Sequence, residues 1–171
     1  DEAYGDFAED HCLRLVATCP NVIVSRTLSK SYSLAGLRFG YAIAQEPIID
    51  GLMKAKDSYN VDALTAAGAA AAIRDQEWLR QNVERIKATR ARMTAELEEF
   101  GFECMPSQSN FVLARAPEGM DAKEIFEQLF ERKVLVRYFD MRRVDDCMRI
   151  SVGTEEETDA LIDALRDIMP N

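Results

Sequence analysis

The sequence predicts an α/β region that passes, after roughly a hundred residues, into a smaller α+β lobe. Three observations carry this. In the first part, short β-branched runs bounded by turn residues alternate with helical stretches. A long amphipathic segment, Gln76–Phe100, follows and is closed by Gly101. Beyond that glycine, short strand-like runs are interleaved with two segments that open on helix-capping signatures.

Taken in order, Asn21–Leu28 (NVIVSRTL) reads as a buried strand, bounded by Pro20 and a polar Ser-Lys-Ser stretch. Arg38–Ala44 (RFGYAIA) reads as a second strand after a loop containing Gly36. Pro47 opens a helical stretch, and the Ala-rich run Asp62–Ile73 predicts a helix that packs closely. Asp75 is placed to cap a helix over Gln76–Phe100, whose Leu79, Val83, Ile86, Met93, Leu97 and Phe100 recur at three- and four-residue steps. At about 1.5 Å per residue it would run roughly 37 Å, long enough to bridge two lobes. Asn110–Arg115, Val134–Tyr138 and Met148–Val152 read as strands. Asp121-x-x-Glu124 opens a helix through Arg132. Thr154-x-x-Glu157 opens a last one, with Leu161, Leu165 and Ile168 inward and Pro170 beyond its end. The organisation expected is therefore 1–75, a connecting helix 76–100, and a small domain 101–171.

Composition narrows the function. With 171 residues, 47% hydrophobic and 30% charged, the chain can build a real core and is not a disordered sequence. Its 21 Lys and Arg against 30 Asp and Glu, a net charge of −9, argue against nucleic-acid binding, which rests on neutralising phosphates. Any anionic ligand needs a local cluster of positive groups. No apolar run is long enough to span a membrane, and none is expected as a partner. Cys12, Cys19, Cys104 and Cys147 form no C-x-x-C pair and His11 is the single histidine, so no metal site is expected. Reduced, packed thiols in a cytoplasmic protein are the expectation.

The densest chemical signal is Ser25–Tyr41, SRTLSKSYSLAGLRFGY. A strand end delivers Lys30 into a loop rich in hydroxyls, and Arg38 follows eight residues later. Ligands of open α/β sheets bind at the carboxyl ends of strands, and hydroxyls with a guanidinium fork suit a phosphate. A lysine partly desolvated beside another cation becomes a better nucleophile. A Ser-Lys pair by itself is more often a solvated lysine in a surface loop, with the arginine on a salt bridge. A P-loop is excluded because its glycine-lysine pattern is absent, and the motifs that accompany Ser-Lys hydrolases are missing.

This segment resembles the cofactor-lysine region of fold-type I pyridoxal-phosphate (PLP) aminotransferases. Within them it is most similar to the histidinol-phosphate aminotransferases, which carry S-R-T-x-S-K followed by A-G-L-R-x-G-Y. The opening Asp1-Glu2-Ala3-Tyr4 is similar to the D-E-A-Y of the same family. The resemblance runs over the whole chain, which it implies to be a C-terminal portion: part of the PLP-transferase large domain, a mostly parallel sheet with helices, then the small α+β domain. It implies PLP as cofactor, with Asp1 on the pyridine nitrogen and Tyr4 on the ring's phenolic oxygen. Thr27, Ser29 and Arg38 would hold the phosphate. Lys30 would bond the aldehyde and then serve as general base and acid. The family's glycine-rich phosphate turn, stacking aromatic and ring-oxygen Asn belong to an N-terminal half outside this sequence. Activity is therefore expected of the parent protein, as a cytoplasmic homodimer, rather than of this segment alone.

A second cluster is Arg137 in VLVRY and Arg149 in MRISVGT. Two arginines at matching places on adjacent strands can converge on one anion, or simply face solvent in a ladder of charges. In the resembled enzymes they grip the substrate's phosphate, and Asn110 would stand near the substrate. A turn-capping role for Asn110 fits equally well. The implied reaction is transamination between histidinol phosphate, a phosphorylated amino alcohol, and 2-oxoglutarate, a 2-oxo acid, in histidine biosynthesis. Alternatives within the fold are an aromatic or broad amino-acid aminotransferase and a threonine-phosphate decarboxylase. Outside it stands a non-catalytic fragment that uses the Asp62–Ile73 helix only as an assembly surface.

Overall fold

The computed structural model describes residues 1–169. Pro170, expected beyond the final helix, lies outside the described residues. The chain divides into two units, residues 1–83 and 84–171, the division falling within a helix.

In the first unit, a 3-10 turn at Gly5–Phe7 buries Phe7, and a short helix α1 covers Leu13–Thr18. Strand β1, Val24–Thr27, pairs antiparallel with β2, Gly40–Ile43, in the register Val24↔Ile43 to Thr27↔Gly40. Both strands are shorter than the sequence suggests. Val22 N–H donates to the Cys19 carbonyl at 3.2 Å, so Pro20 and Asn21 are spent on a turn. At the other strand, Arg38 takes the left-handed conformation (φ 55°), which interrupts the extended backbone before Gly40. This pair forms a two-stranded sheet with no parallel partner among the described residues.

Gly40 is dictated by proximity. A Cβ there would sit 2.9 Å from the Arg26 carbonyl oxygen across the ladder. Gly40→Ala should therefore force the two strands apart, destabilising the protein by about 1–3 kcal/mol as an overpacking change does. A lower denaturant midpoint at unchanged slope would report it.

Helix α2, Glu46–Ala55, begins with Pro47 in its first turn and buries none of its residues. Helix α3, Ala63–Arg74, is capped by Asp62, whose carboxylate accepts the Leu64 and Thr65 N–H groups at 2.9 Å each. Its alanines allow close approach: Ala69 is buried with Leu28 and Tyr32, and Leu34, Leu37 and Phe39 pack around them. This small core backs the loop between the two strands.

Helix α4, Gln76–Glu99, is capped by Asp75, which accepts the Trp78 N–H at 3.0 Å. It ends at Gly101, φ 86°, with Phe102 N–H on the Leu97 carbonyl and Gly101 N–H on that of Glu98.

The second unit continues with β3 (Glu103–Cys104), β4 (Phe111–Arg115), α5 (Ala122–Glu131), β5 (Arg137–Tyr138), β6 (Cys147–Ser151) and α6 (Glu155–Ile168). The four strands form an antiparallel sheet in the order β3-β4-β6-β5. Val112, Ala114, Met148 and Ile150 face a buried core with Met93 and Leu97 of α4, Ile125 and Leu129 of α5, and Leu161 and Leu165 of α6. Thr154 and Glu157 make the full reciprocal cap, whereas Asp121 caps α5 through the Lys123 N–H. The run Val134–Tyr138 contributes only its last two residues to β5. Lys133, at φ 63°, ends α5, and Val134 N–H returns to the Leu129 carbonyl at 2.9 Å, so the first residues of that run serve the helix end.

Candidate functional site

The loop from Leu28 to Phe39 is closed at its neck. The Phe39 carbonyl accepts the Leu28 N–H at 3.2 Å and the Thr27 hydroxyl at 3.1 Å. Thr27 and Ser29 hydroxyls lie 3.0 Å apart, and the Ser29 N–H donates to Thr27 Oγ1 at 3.1 Å. Arg38 is exposed, and its guanidinium donates to the Ala35 carbonyl at 2.7 Å. A bulky residue at positive φ is uncommon, which marks Arg38 as held there by its surroundings. The Thr27 and Ser29 hydroxyls and the Arg38 guanidinium, carried by one loop, form a donor set suited to a phosphate group.

Lys30 is half-buried within this loop, with Nζ 5.4 Å from the centroid of the Tyr4 ring. That contact joins the lysine to the segment that begins the chain. There Asp1 is exposed and accepts the Ala3 N–H at 2.8 Å, while Glu2 N–H donates to the Ser25 carbonyl at 2.8 Å, laying the segment along β1.

In the second unit, Arg137 and Arg149 are direct cross-strand partners. Two like charges set opposite each other are unfavourable unless something negative bridges them. Arg149 Nε is buried with no hydrogen-bond partner. Its guanidinium lies 5.4 Å from the Phe111 ring and 6.0 Å from that of Phe139, and Arg137 lies 5.6 Å from Phe139. The contrast with Arg115 on the same sheet is informative, since that side chain is neutralised by both Glu103 and Asp146. Among the described residues, no carboxylate pairs with Arg137 or Arg149 in this way. Asn110 stands just before β4, its carbonyl accepting the Val152 N–H at 2.9 Å. Strand alternation puts it in step with Val112 and Ala114 on the core side, one residue out of phase with the arginine face.

The profile of aminotransferase class I and II matches residues 1–165. The chain belongs to that family. It is 47% identical over 169 residues to histidinol-phosphate aminotransferase 1 of Trichormus variabilis, covering 99% of this chain and 48% of the relative. It is 51% identical over 160 residues to the histidinol-phosphate aminotransferase of Rhodopirellula baltica, covering 94% and 44%. Among solved structures, the histidinol-phosphate aminotransferase of Sinorhizobium meliloti in complex with pyridoxal-5'-phosphate superposes with TM-score 0.87 at 28% identity, covering 98% of this chain and 48% of that one. A decarboxylase of Sulfurospirillum multivorans superposes with TM-score 0.89 at 27% identity, covering 99% and 52%. The chain thus spans about half the length of the curated relatives it matches.

Within this class I and II aminotransferase chain, sequence reasoning passed over a charged group beneath the lysine loop. Arg26 on β1 donates to Glu2 Oε2 from Nε at 3.1 Å and from Nη2 at 2.8 Å. Its Nη1 lies 3.6 Å from Asp6. Burial works against the charge on Glu2, but the Cys12 N–H and the Arg26 guanidinium outweigh it and hold the carboxyl below its ordinary range. Arg26 shows the converse: burial disfavours its charge, and Glu2 more than restores it. The available signal was Arg26 itself, a charge in the middle of a run otherwise suited to a strand.

Proposed function

We propose that the parent protein is a PLP-dependent transaminase that moves an amino group between histidinol phosphate and 2-oxoglutarate, as one step of histidine biosynthesis. The observation that carries the phosphate-bearing substrate is the opposed pair Arg137 and Arg149, with the Arg149 Nε donor buried and unused. A phosphate dianion would turn that repulsion into attraction and supply the missing acceptor. The names of the relatives support the same substrate.

For the cofactor, the donor set Thr27, Ser29 and Arg38 would hold the phosphate, Asp1 would keep the pyridine nitrogen protonated, and Tyr4 would donate to the ring oxygen. PLP, when bound, supplies an electron sink for the carbanion formed at the substrate carbon. Lys30 would take a proton from that carbon and return one, acting first as base and then as acid. Arg137 and Arg149 would bind and orient the substrate through its phosphate, whereas Asn110, in step with the core side, would take no part in that arginine face. The parent would act as a cytoplasmic homodimer. In support, α2 buries no residue, and Met53 and Leu64 are 57% and 84% exposed, apolar surface that suits a covered interface.

The test compares substrates in the full-length protein. Histidinol phosphate should exceed phenylalanine in kcat/KM by tenfold or more, because losing a desolvated charge pair costs about 2–5 kcal/mol. Equal or better turnover of phenylalanine would favour an aromatic aminotransferase, and release of carbon dioxide from threonine phosphate a decarboxylase. Either result would overturn the proposal.

A further inference from the structure

The charged group around Arg26 links the two pieces of chain that carry the candidate cofactor residues. On one side is the segment holding Asp1 and Tyr4, which also carries Glu2 and Asp6. On the other is the loop holding Lys30, whose next residue, Ser31, is 1% exposed. Ser31 Oγ donates to Asp6 Oδ2 at 2.5 Å, and the Ser31 carbonyl accepts from Asn82 Nδ2 at 2.7 Å. Arg26 clamps Glu2 with two donors and stands beside the other oxygen of Asp6. The side chains of Arg26, Glu2 and Asp6 are only 19%, 11% and 25% exposed. A continuous path therefore runs Glu2–Arg26–Asp6–Ser31, and it ends one peptide bond from Lys30.

Such a group is an expensive way to hold a fold. Buried ion pairs are close to neutral for stability when compared with apolar packing of the same volume. What they provide is a fixed register, because each donor fork accepts its partner in one geometry. Here the register being fixed is that of the Tyr4 ring against the Lys30 amine, 5.4 Å apart.

We propose that Asp6 and Arg26 are positioning residues, which set where the Lys30 amine stands relative to Asp1 and Tyr4 by tying Ser31 to the opening segment. This rests on the reading of Lys30 as the PLP lysine. Neither residue touches the reacting atoms. Asp6 acts through Ser31, and Arg26 acts through Asp6 and Glu2.

The test uses the full-length protein loaded with PLP and compares wild type, Asp6→Ala, Asp6→Asn and Ser31→Ala. A misplacement of about 1 Å at a reacting group lowers rate by up to about 100-fold. Asp6→Ala should lower kcat by about 10- to 100-fold with a smaller change in KM. It should also change the visible circular dichroism of the bound cofactor, which reports how the ring sits in its site. Asp6→Asn keeps an acceptor for Ser31 and should restore most of both signals. Ser31→Ala removes one oxygen atom and should reproduce the dichroism change even where Asp6→Ala does not fold.

Wild-type dichroism and kcat in both Asp6→Ala and Ser31→Ala, with only a lower melting temperature, would overturn the inference and leave the function standing. Cofactor absorbance that survives Lys30→Ala unchanged would instead overturn the reading of the lysine, and this inference with it.

Discussion

Replacing Lys30 with alanine is expected to abolish the yellow absorbance that the full-length protein gains with PLP. Turnover should fall by about 10⁴-fold or more, the upper range for losing a positioned general acid–base together with its covalent role. The geometry makes this the largest single effect in the molecule. Lys30 is half-buried in a loop closed at both ends by backbone hydrogen bonds, with its amine near the Tyr4 ring. The nearby hydroxyls of Thr27 and Ser29 are engaged with each other and with the Phe39 carbonyl. His11 lies outside the loop, and Cys104 and Cys147 have thiol pKa values pushed up to about 11, chiefly by burial, which keeps them protonated near neutrality. The alanine variant should fold as well as wild type, since among the described residues no carboxylate pairs with Lys30 and none is left stranded. Equal colour in wild type and variant would remove Lys30 from any specific cofactor role.

How much of this was readable in advance depends on the range of the interaction. Helix ends were legible because their signals are local. Asp75 and Thr154 cap as their positions suggest, and Gly101 closes α4 with a left-handed residue, while Asp62, expected inside its helix, caps it instead. Strand ends were less so. Arg38 and Lys133 adopt positive φ although nothing in their side chains asks for it, so both β2 and β5 begin later than the apolar pattern implies. β3 is two residues long and exists by pairing with β4, a partner no local pattern reveals. The same distinction holds for the candidate sites. The spacing of Thr27, Ser29, Lys30 and Arg38 lies within one loop and was readable as a set. The tie from Asp6 to Ser31 spans 25 positions and depends on how the opening segment lies along β1, which is tertiary information. Arg137 and Arg149 fall between these cases. Their strands were expected to be neighbours, but only the register shows that the two residues stand directly opposite.

That opposition leads to the second large effect, in which activity and stability move in opposite directions. Arg149→Met keeps most of the side chain's volume and removes its charge. In the full-length protein it should lower kcat/KM for histidinol phosphate by about 30-fold to a few thousand-fold, the range expected when one member of a desolvated charge pair is lost. Thermal stability in phosphate-free buffer should hold or rise. The variant relieves a like-charge cross-strand pair and removes a buried donor that has no acceptor. Inorganic phosphate should raise the melting temperature of wild type but not of the variant, because only wild type gains a bridging anion. Arg137→Met should show a smaller and more salt-sensitive loss, since Arg137 is exposed and its field is screened. The two effects should not add, because each arginine's contribution depends on the anion the other helps to hold. An Arg149→Met protein that melts lower, yet turns over histidinol phosphate normally, would show the pair to be structural. The buried Nε would then need some other acceptor, and the case for a phosphorylated substrate would lose its physical basis.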